Sequence, residues 1–377
     1  MSLLSVSDKY IIVARGRRLD FFDDSKHYIV EAPVIEKDGA HDHISGVATS
    51  PDSKHVAIIT SISKLLLIYD LEERKLRQSY TLPRTASKIR FCPNNKDILV
   101  ADKSGDALVY NINEEKSGTK LLGHLSLLLD VLLTNDEKFI ITCDRDEKIR
   151  VTQYPKPYVL QSYCLGHKEF VNHVELLPHD HDYLTSSSGD GTVKVWNIED
   201  GQLRHTIDTK DSIDKQINID FMKLMDLEGV EAKTLPIVHY AITKISDSSS
   251  MLALGLYNCK ELLIYTLETN DNIMHHKFEH RLKVQNFPGS IVFHDQKLYV
   301  YDNLECNVVV YQYTYQNEKV SFELCDHIMM FQNNTTINAV CSCFEPITES
   351  IKMLYKRKFD NVQEYQERKR QRLERAQ

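Results

Sequence analysis

The sequence predicts an all-β protein folded as a β-propeller of seven blades, followed by a basic helical tail. Three observations predict it. Apolar runs recur about every 41–46 residues, with one interval of about 69, and they end at Tyr69, Tyr110, Thr152, Trp196, Tyr265 and Tyr311. Four-stranded propeller blades repeat at about this period. Two further apolar runs separated by polar turns precede most of these ends, and 42% of the 377 residues are hydrophobic, enough for a large core.

Each unit is expected to begin with an inner apolar run and to end with an outer strand. Turns follow the inner runs at Pro51, Pro93 and Asp136; proline presets φ, and Asp bonds to its own backbone. We expect blades near residues 3–33, 43–74, 86–115, 123–156, 166–201, 235–268 and 287–315. The first has too few strands, and residues 336–355 could supply the missing strand and close the ring, which would remove the open edges.

An insertion of mixed charge at about residues 202–234 explains the long interval between the fifth and sixth units. The propeller domain is therefore expected to occupy residues 1–350. Residues 351–377 form a second unit, because the segment 352–377 has nine basic and four acidic residues in a chain of net charge −8. Residues 360–375 contain no Gly or Pro and are rich in helix formers, which predicts a helix that folds on a partner, on the propeller or on RNA.

Composition and motifs argue against several functional classes. The acidic net charge excludes a uniformly basic nucleic-acid binder, and no apolar segment is long enough to span a membrane. Eight scattered cysteines do not form a disulfide framework, so we expect a reducing compartment, the nucleus and also the cytoplasm. There is no Gly-rich phosphate loop, no nucleophile elbow and no zinc-ligand spacing. We therefore expect neither an enzyme nor a bound cofactor or metal.

A signature in the middle of the chain resembles the WD-repeat family of propellers. Two units open with Gly-His, at His124 and His167, and residues 186–196 read SSSGDGTVKVW. The resemblance implies that His124 and His167 have a structural role. In the family such histidines join a buried hydrogen-bond network with a turn aspartate, here Asp190, a Ser or Thr, and the tryptophan, here Trp196.

Arg150 is a candidate binding residue. Strand alternation should bury Ile149 and Val151 and turn Lys148 and Arg150 to the other face. Arg150 occupies the place of Lys194 in the next unit, so edge-strand protection is one explanation for a basic residue there. Contact with a carboxylate or phosphate is the other, since Arg is the preferred residue for such fixed contacts.

Four strings resemble the WD-repeat non-catalytic subunit of the eukaryotic tRNA (guanine-N7) methyltransferase. They are LGHLSLLLD at 122–130, DRDEKIRV at 144–151, YCLGHKEFV at 163–171 and LYKRKFDNV at 354–362. The resemblance implies a heterodimer with a catalytic subunit that carries S-adenosylmethionine and methylates a guanine in the variable loop of tRNA. It also implies that the strand bearing Arg145, Lys148 and Arg150 meets that partner, with Arg150 pairing with an acidic residue.

The tail is the candidate RNA-binding element, because an acidic body repels tRNA. The residues expected to contact tRNA through the complex are Lys356, Arg357, Lys358, Arg368, Lys369, Arg370 and Arg372. A nuclear-import signal or a solvated helix end would explain the same charges.

A different class of function is a general protein-interaction propeller, such as a ubiquitin-ligase substrate receptor or a chromatin reader. The receptors usually carry Trp-Asp-x-Arg at a blade end. Here Trp196 is followed by Asn197, Ile198 and Glu199, which argues against that class.

Overall fold

The computed structural model describes residues 3–23, 26–33, 42–115, 118–271, 273–302, 304–316, 318–329, 351–356 and 370. Over these residues the chain forms seven four-stranded antiparallel sheets, each built from strands consecutive in sequence. Contacts between the inner strands of neighbouring sheets, including the first strands of the first and last sheets, arrange the sheets as the blades of a ring. The predicted seven-bladed propeller is confirmed, and the described residues are nearly all-β, with one α-helix. None of the helices in these residues is long and apolar enough to span a membrane.

Blades 1 to 4 occupy the first half of the chain. Blade 1 comprises β1 (Leu4–Val6), β2 (Ile11–Arg15), β3 (Arg18–Phe22) and β4 (His27–Glu31). Blade 2 comprises β5 (Ile44–Thr49), β6 (His55–Thr60), β7 (Leu65–Asp70) and β8 (Lys75–Thr81). Blade 3 comprises β9 (Ala86–Phe91), β10 (Asp97–Asp102), β11 (Asp106–Asn111) and β12 (Thr119–Gly123). Blade 4 comprises β13 (Leu128–Leu133), β14 (Phe139–Asp144), β15 (Ile149–Gln153) and β16 (Leu160–Cys164).

Blades 5 to 7 follow, with a helical insertion after blade 5. Blade 5 comprises β17 (Val171–Leu176), β18 (Tyr183–Ser188), β19 (Thr192–Asn197) and β20 (Leu203–Asp208). A 3-10 turn (Lys210–Ser212) and α1 (Lys215–Leu227) come next. Blade 6 comprises β21 (Ile237–Ser246), β22 (Ser249–Leu256), β23 (Glu261–Asn270) and β24 (Ile273–Lys283). Blade 7 comprises β25 (Pro288–His294), β26 (Lys297–Asp302), β27 (Asn307–Gln316) and β28 (Lys319–Met329).

The hydrophobic core is divided among the seven boundaries between blades. Each boundary has its own cluster of buried aliphatic and aromatic side chains. At the boundary that closes the ring, Leu4 and Val13 of blade 1 pack with Tyr301 and Val308 of blade 7. Burial of apolar area between sheets therefore stabilises the ring at every joint, the last one included.

The blades begin close to the predicted positions, but most of them end later than predicted. The runs interpreted as outer strands are the third strands, and a fourth strand lies outside each. These fourth strands were missed because they are largely polar and exposed, as in β8, where five of seven residues are exposed. The predicted insertion also starts too early, since its first residues form β20 of blade 5.

The prediction that residues 336–355 supply a strand to blade 1 is wrong. Blade 1 has all four strands within Leu4–Glu31, and residues 351–355 form a helical turn. The predicted boundary between the propeller and the tail, at residue 350, also needs correction. Ile351 and Tyr355 are buried in the cluster between blades 5 and 6, so residues 351–356 pack on the propeller. The remainder of the predicted helical tail lies outside the described residues, except for Arg370.

Candidate partner-binding surface

His167 is held in a buried hydrogen-bond chain in blade 5. Its Nδ1 lies 3.0 Å from Oδ2 of Asp190, and its Nε2 lies 2.7 Å from Oγ of Ser186. Trp196 donates from Nε1 to the same hydroxyl at 2.8 Å. Burial lowers the pKa of His167, which keeps the ring neutral. Burial acts to raise the pKa of Asp190, but hydrogen bonds from His167 and Thr192 outweigh it and hold that pKa low.

His124 makes the corresponding contacts in blade 4. Its Nδ1 lies 2.8 Å from Oδ2 of Asp144 and its Nε2 lies 2.8 Å from Oγ1 of Thr142. The sequence pattern did not reveal Asp144, because it stands two residues earlier in its turn than Asp190 does in blade 5. Its other oxygen, Oδ1, accepts the backbone N–H of Asp146 at 2.9 Å and of Lys148 at 3.1 Å. The histidine therefore anchors the turn that carries the predicted binding residues.

The turn between β14 and β15 presents charged side chains to solvent. Lys148 is exposed, and Arg145 is 39% exposed beside Asp146. Glu147 has a φ of 71°, the left-handed conformation that Gly191 adopts at the same place in blade 5 with a φ of 73°. Because the Asp144 carboxylate bonds to the backbone on both sides of Glu147, the turn holds this conformation without a glycine.

Arg150 lies on β15 with its side chain turned away from the core. Ile149 and Val151 on either side are fully buried, as the alternation predicted. Its Nη1 donates to the carbonyl of Gly123 at 3.3 Å. β15 pairs with β14 and with β16, so Arg150 is not on an edge strand and the explanation by edge protection is wrong. Lys194, in the equivalent place, is buried and bonds to Thr206.

Exposed apolar side chains, which the sequence did not reveal, flank Arg150. Tyr163 is its cross-strand neighbour on β16 and is 42% exposed. Leu165 follows β16 and is 63% exposed, and Leu125, two residues beyond Gly123, is fully exposed. We call the six residues Leu125, Arg145, Lys148, Arg150, Tyr163 and Leu165 the blade-4 surface. Apolar area beside a fixed arginine is typical of the core of a protein–protein interface.

The structure places only part of the predicted RNA-binding set. Lys356 forms an ion pair with Glu147, in the same turn as Arg145 and Lys148. Arg370 is exposed. Arg357, Lys358, Arg368, Lys369 and Arg372 lie outside the described residues. The structure therefore brings Lys356, the first residue of the predicted RNA-binding set, to the edge of the blade-4 surface.

A cluster of charges in the central channel was also missed. Arg90 on β9 bonds to Asp130 on β13 and to Glu175 on β17, and His173 lies 3.0 Å from Asp130. Burial acts to raise the pKa of Asp130, but the charge of Arg90 outweighs it and keeps that pKa well below its usual range. The sequence does contain a signal for this cluster, since each of three successive units has a charged residue within its apolar inner strand. Across the described part of the chain, no group of three or more His, Cys, Asp or Glu side chains has a metal-binding arrangement.

Comparison with known proteins identifies close relatives. A family model described as the tRNA methyltransferase TRM82 WD40 domain matches residues 23–120 and 110–288. The chain is 32% identical to the tRNA (guanine-N(7)-)-methyltransferase non-catalytic subunit wuho of Drosophila pseudoobscura pseudoobscura over 338 residues, which cover 88% of this chain and 78% of the relative. It is also 32% identical to the non-catalytic subunit wdr4 of Danio rerio over 351 residues, covering 90% and 79%.

Solved structures show the same fold at low identity. The RRP9 WD40 repeats superpose with a TM-score of 0.63 at 15% identity, covering 79% of this chain and 86% of that one. A chain of the mitotic checkpoint complex superposes with a TM-score of 0.62 at 13% identity, covering 80% and 86%. At these identities the likeness concerns the propeller fold alone.

Proposed function

The chain belongs to the family of WD-repeat non-catalytic subunits of the tRNA (guanine-N7) methyltransferase, and we propose that it binds and stabilises the catalytic subunit as a heterodimer. That partner would carry S-adenosylmethionine and form N7-methylguanosine in the variable loop of tRNA. The chain itself is non-catalytic. Its contribution is a rigid surface on which the partner is held.

The blade-4 surface is the observation that carries this proposal. It combines three cationic side chains with three apolar side chains, Leu125, Tyr163 and Leu165, each of which is more than 40% exposed. Strand pairing on both sides fixes the backbone of Arg150, and the bond to the Gly123 carbonyl fixes its guanidinium. A preorganised charge loses little conformational entropy on binding, and an ion pair desolvated by flanking apolar groups is worth more than an exposed one.

The test is the Arg150→Glu variant, assayed for co-elution with the catalytic subunit and for methylation of tRNA by the reconstituted complex. Because the side chain lies outside the core, we expect the variant to fold. Reversal removes an interfacial pair and adds a like-charge contact, so the dissociation constant should rise at least about 30-fold, from a loss of about 2–5 kcal/mol. Methylation at limiting partner concentration should fall in parallel.

A matched control is Arg77→Glu on β8 of blade 2. Arg77 is an exposed arginine whose guanidinium, like that of Arg150, donates within the chain; its acceptor is Asn113, and it lies outside the blade-4 surface. This variant should co-elute with the partner as the wild type does. Unchanged co-elution and methylation for Arg150→Glu would place the interface elsewhere. Recovery of a ligase adaptor instead of a methyltransferase from cell extract would favour the general interaction propeller.

We also propose a nuclear location, with the basic tail as a contributor. The support is the cluster of cations that starts at Lys356. Imaging of a fluorescent fusion, with and without residues 357–377, tests the location and the tail separately. A cytoplasmic full-length fusion would contradict the proposal.

A further inference from the structure

Residues 351–356 form a strap that contacts three separate parts of the propeller. Lys352 donates from Nζ to Glu228 at the end of α1, at 2.9 Å. Tyr355 donates its hydroxyl proton to the carbonyl of Gly189 in blade 5, at 3.0 Å. Lys356 forms its ion pair with Glu147 in blade 4. The strap therefore runs from the insertion across blade 5 to the turn that carries Arg145 and Lys148.

The burial of its apolar residues holds the strap on the propeller. The position of Lys356 is therefore fixed independently of the attraction between its charge and Glu147. Ile351 is 5% exposed and Tyr355 is 3% exposed. The ring of Tyr355 meets that of Phe170 edge-on at 5.1 Å between centroids and lies 6.4 Å from that of Phe221. Gly189 makes this stack possible, because a Cβ there would lie 2.4 Å from the ring of Phe170. With its neighbour buried, Lys356 has little backbone freedom to lose when it pairs.

The turn that Lys356 contacts has an excess of negative charge on the side facing the strap. Glu147 follows Asp146 directly, and Glu169 lies near enough for the two glutamates to repel each other. Burial and that repulsion raise the pKa of Glu169 to about 7, while Lys356 acts in the opposite direction. Of the cations described in the structure, Lys356 is the one that makes an ion pair with Glu147.

We infer that Lys356 is a positioning residue for the partner-binding turn: its ion pair with Glu147 fixes the turn between β14 and β15 and cancels the negative charge that would oppose an acidic partner. The inference rests on the proposed function, in which Arg145, Lys148 and Arg150 meet the catalytic subunit. It also assigns Lys356 a role different from the tRNA contact predicted from the sequence, because its ammonium is engaged within the chain. The strap thus acts on the partner through Glu147.

The experiment measures the dissociation constant between the full chain and the catalytic subunit, for variants in which the charge of Lys356 is reversed or is exchanged with that of Glu147. Lys356→Glu places a carboxylate against Glu147 and should weaken association by about 3- to 10-fold, because it removes an exposed ion pair and adds a like-charge contact. The exchanged variant Glu147→Lys/Lys356→Glu restores the pair and should bind within about 2-fold of wild type. Lys356→Arg should bind as the wild type does.

Two controls separate this role from general stability and from RNA contact. Lys223→Glu makes the same charge change on an exposed lysine of α1 and should leave the dissociation constant unchanged. The melting temperature of each isolated chain, with Lys356→Gln as a milder variant, shows whether a loss of binding reflects unfolding. tRNA affinity of the preformed heterodimer is measured in parallel.

The outcomes are distinguishable from failure of the proposed function. An unchanged dissociation constant for Lys356→Glu, or an exchanged variant as weak as the single one, overturns the positioning role. Reduced tRNA affinity with normal heterodimer formation also overturns it, in favour of direct RNA contact. If Arg150→Glu fails to weaken association, the blade-4 surface is not the interface and the proposed function fails. If Arg150→Glu weakens association but the Lys356 variants bind as the wild type does, the interface is kept and only the positioning role of Lys356 is rejected.

Discussion

Arg90 and Asp130 form a two-point ion pair across the boundary between blades 3 and 4. Nε of Arg90 lies 3.0 Å from Oδ1 of Asp130, and Nη2 lies 2.7 Å from Oδ2. The same guanidinium donates to the carboxylate of Glu175 and to the carbonyl of Val174 in blade 5, at 2.8 and 2.7 Å. One arginine therefore connects three neighbouring blades in the central channel, including blade 4, which carries the partner-binding surface, and blade 5, which the strap crosses.

We predict that Arg90→Met destabilises the propeller by about 3–5 kcal/mol, because it leaves the fully buried carboxylate of Asp130 without its main counter-charge. Arg90→Met/Asp130→Leu should recover part of the loss, since no buried charge remains at that pair. The measurement is the free energy of unfolding in denaturant. Arg204→Met, which breaks an exposed pair with Asp200, should cost about 1 kcal/mol or less. Equal losses for the two arginines would show that burial of the channel pair is unimportant.

We predict that ionisation of Glu169 lowers the folding stability of the chain as the pH rises. Burial and the nearby Glu147 raise the pKa of Glu169 to about 7 in the folded state, against 4.5 ordinarily. Between these values the unfolded chain has lost the proton and the folded chain has kept it, so folding stability falls as pH rises from about 4.5 to about 7 and stays lower above that. Glu169→Gln removes the ionisation and should therefore stabilise the chain at pH 8.

The check is the melting temperature of Glu169→Gln minus that of wild type, measured at pH 4.5 and pH 8. We expect an increase in melting temperature at pH 8, at roughly 1–2 °C per kcal/mol for a chain of this size, and little difference at pH 4.5. Glu199→Gln, at an exposed turn of blade 5, serves as the control and should give no pH-dependent difference. A difference for Glu169→Gln that is the same at both pH values would contradict the raised pKa.

For the tail, we predict that neutralising Arg368, Lys369, Arg370 and Arg372 lowers the salt dependence of tRNA binding by the heterodimer. Each phosphate that a cation binds releases counterions, so the slope of log affinity against log salt should decrease by roughly 0.7–0.9 for every phosphate that the variant no longer binds. Heterodimer formation should be largely intact. Fluorescence anisotropy of labelled tRNA at several salt concentrations measures the slope, with neutralised Lys54, Lys75, Arg77 and Lys96 as the control set. Identical slopes for the tail variant and wild type would leave import or partner docking as the role of these residues.

The sequence was sufficient for the number of blades and for where they begin, because the inner strands are apolar and follow recognisable turns. It was insufficient for the fourth strands. At least half of the residues in β8 and in β20 are exposed, so these strands lack the alternation by which a buried strand is recognised. The closing strand expected from residues 336–355 arose from the same difficulty, since the short strand β1 was not recognised as the inner strand of blade 1.

The candidate site was predictable only where local alternation decides the outcome. Arg150 was placed on the outer face because Ile149 and Val151 are apolar neighbours on a strand. Leu125 and Leu165 belong to runs that look like core, and only the three-dimensional structure shows them exposed. The pair of Lys356 with Glu147 joins residues 209 positions apart, and no periodic pattern relates a turn in blade 4 to a segment beyond blade 7.

The continuity of each sheet in sequence has a consequence for synthesis of the chain. Every blade pairs only strands that follow one another directly, so a blade can complete its ladder of backbone hydrogen bonds soon after it leaves the ribosome, before the next blade exists. Only the last joint requires both ends, when Tyr301 reaches Leu4. Until then the apolar flank of blade 1 is uncovered, and it is the part of the nascent protein that a chaperone would have to shield.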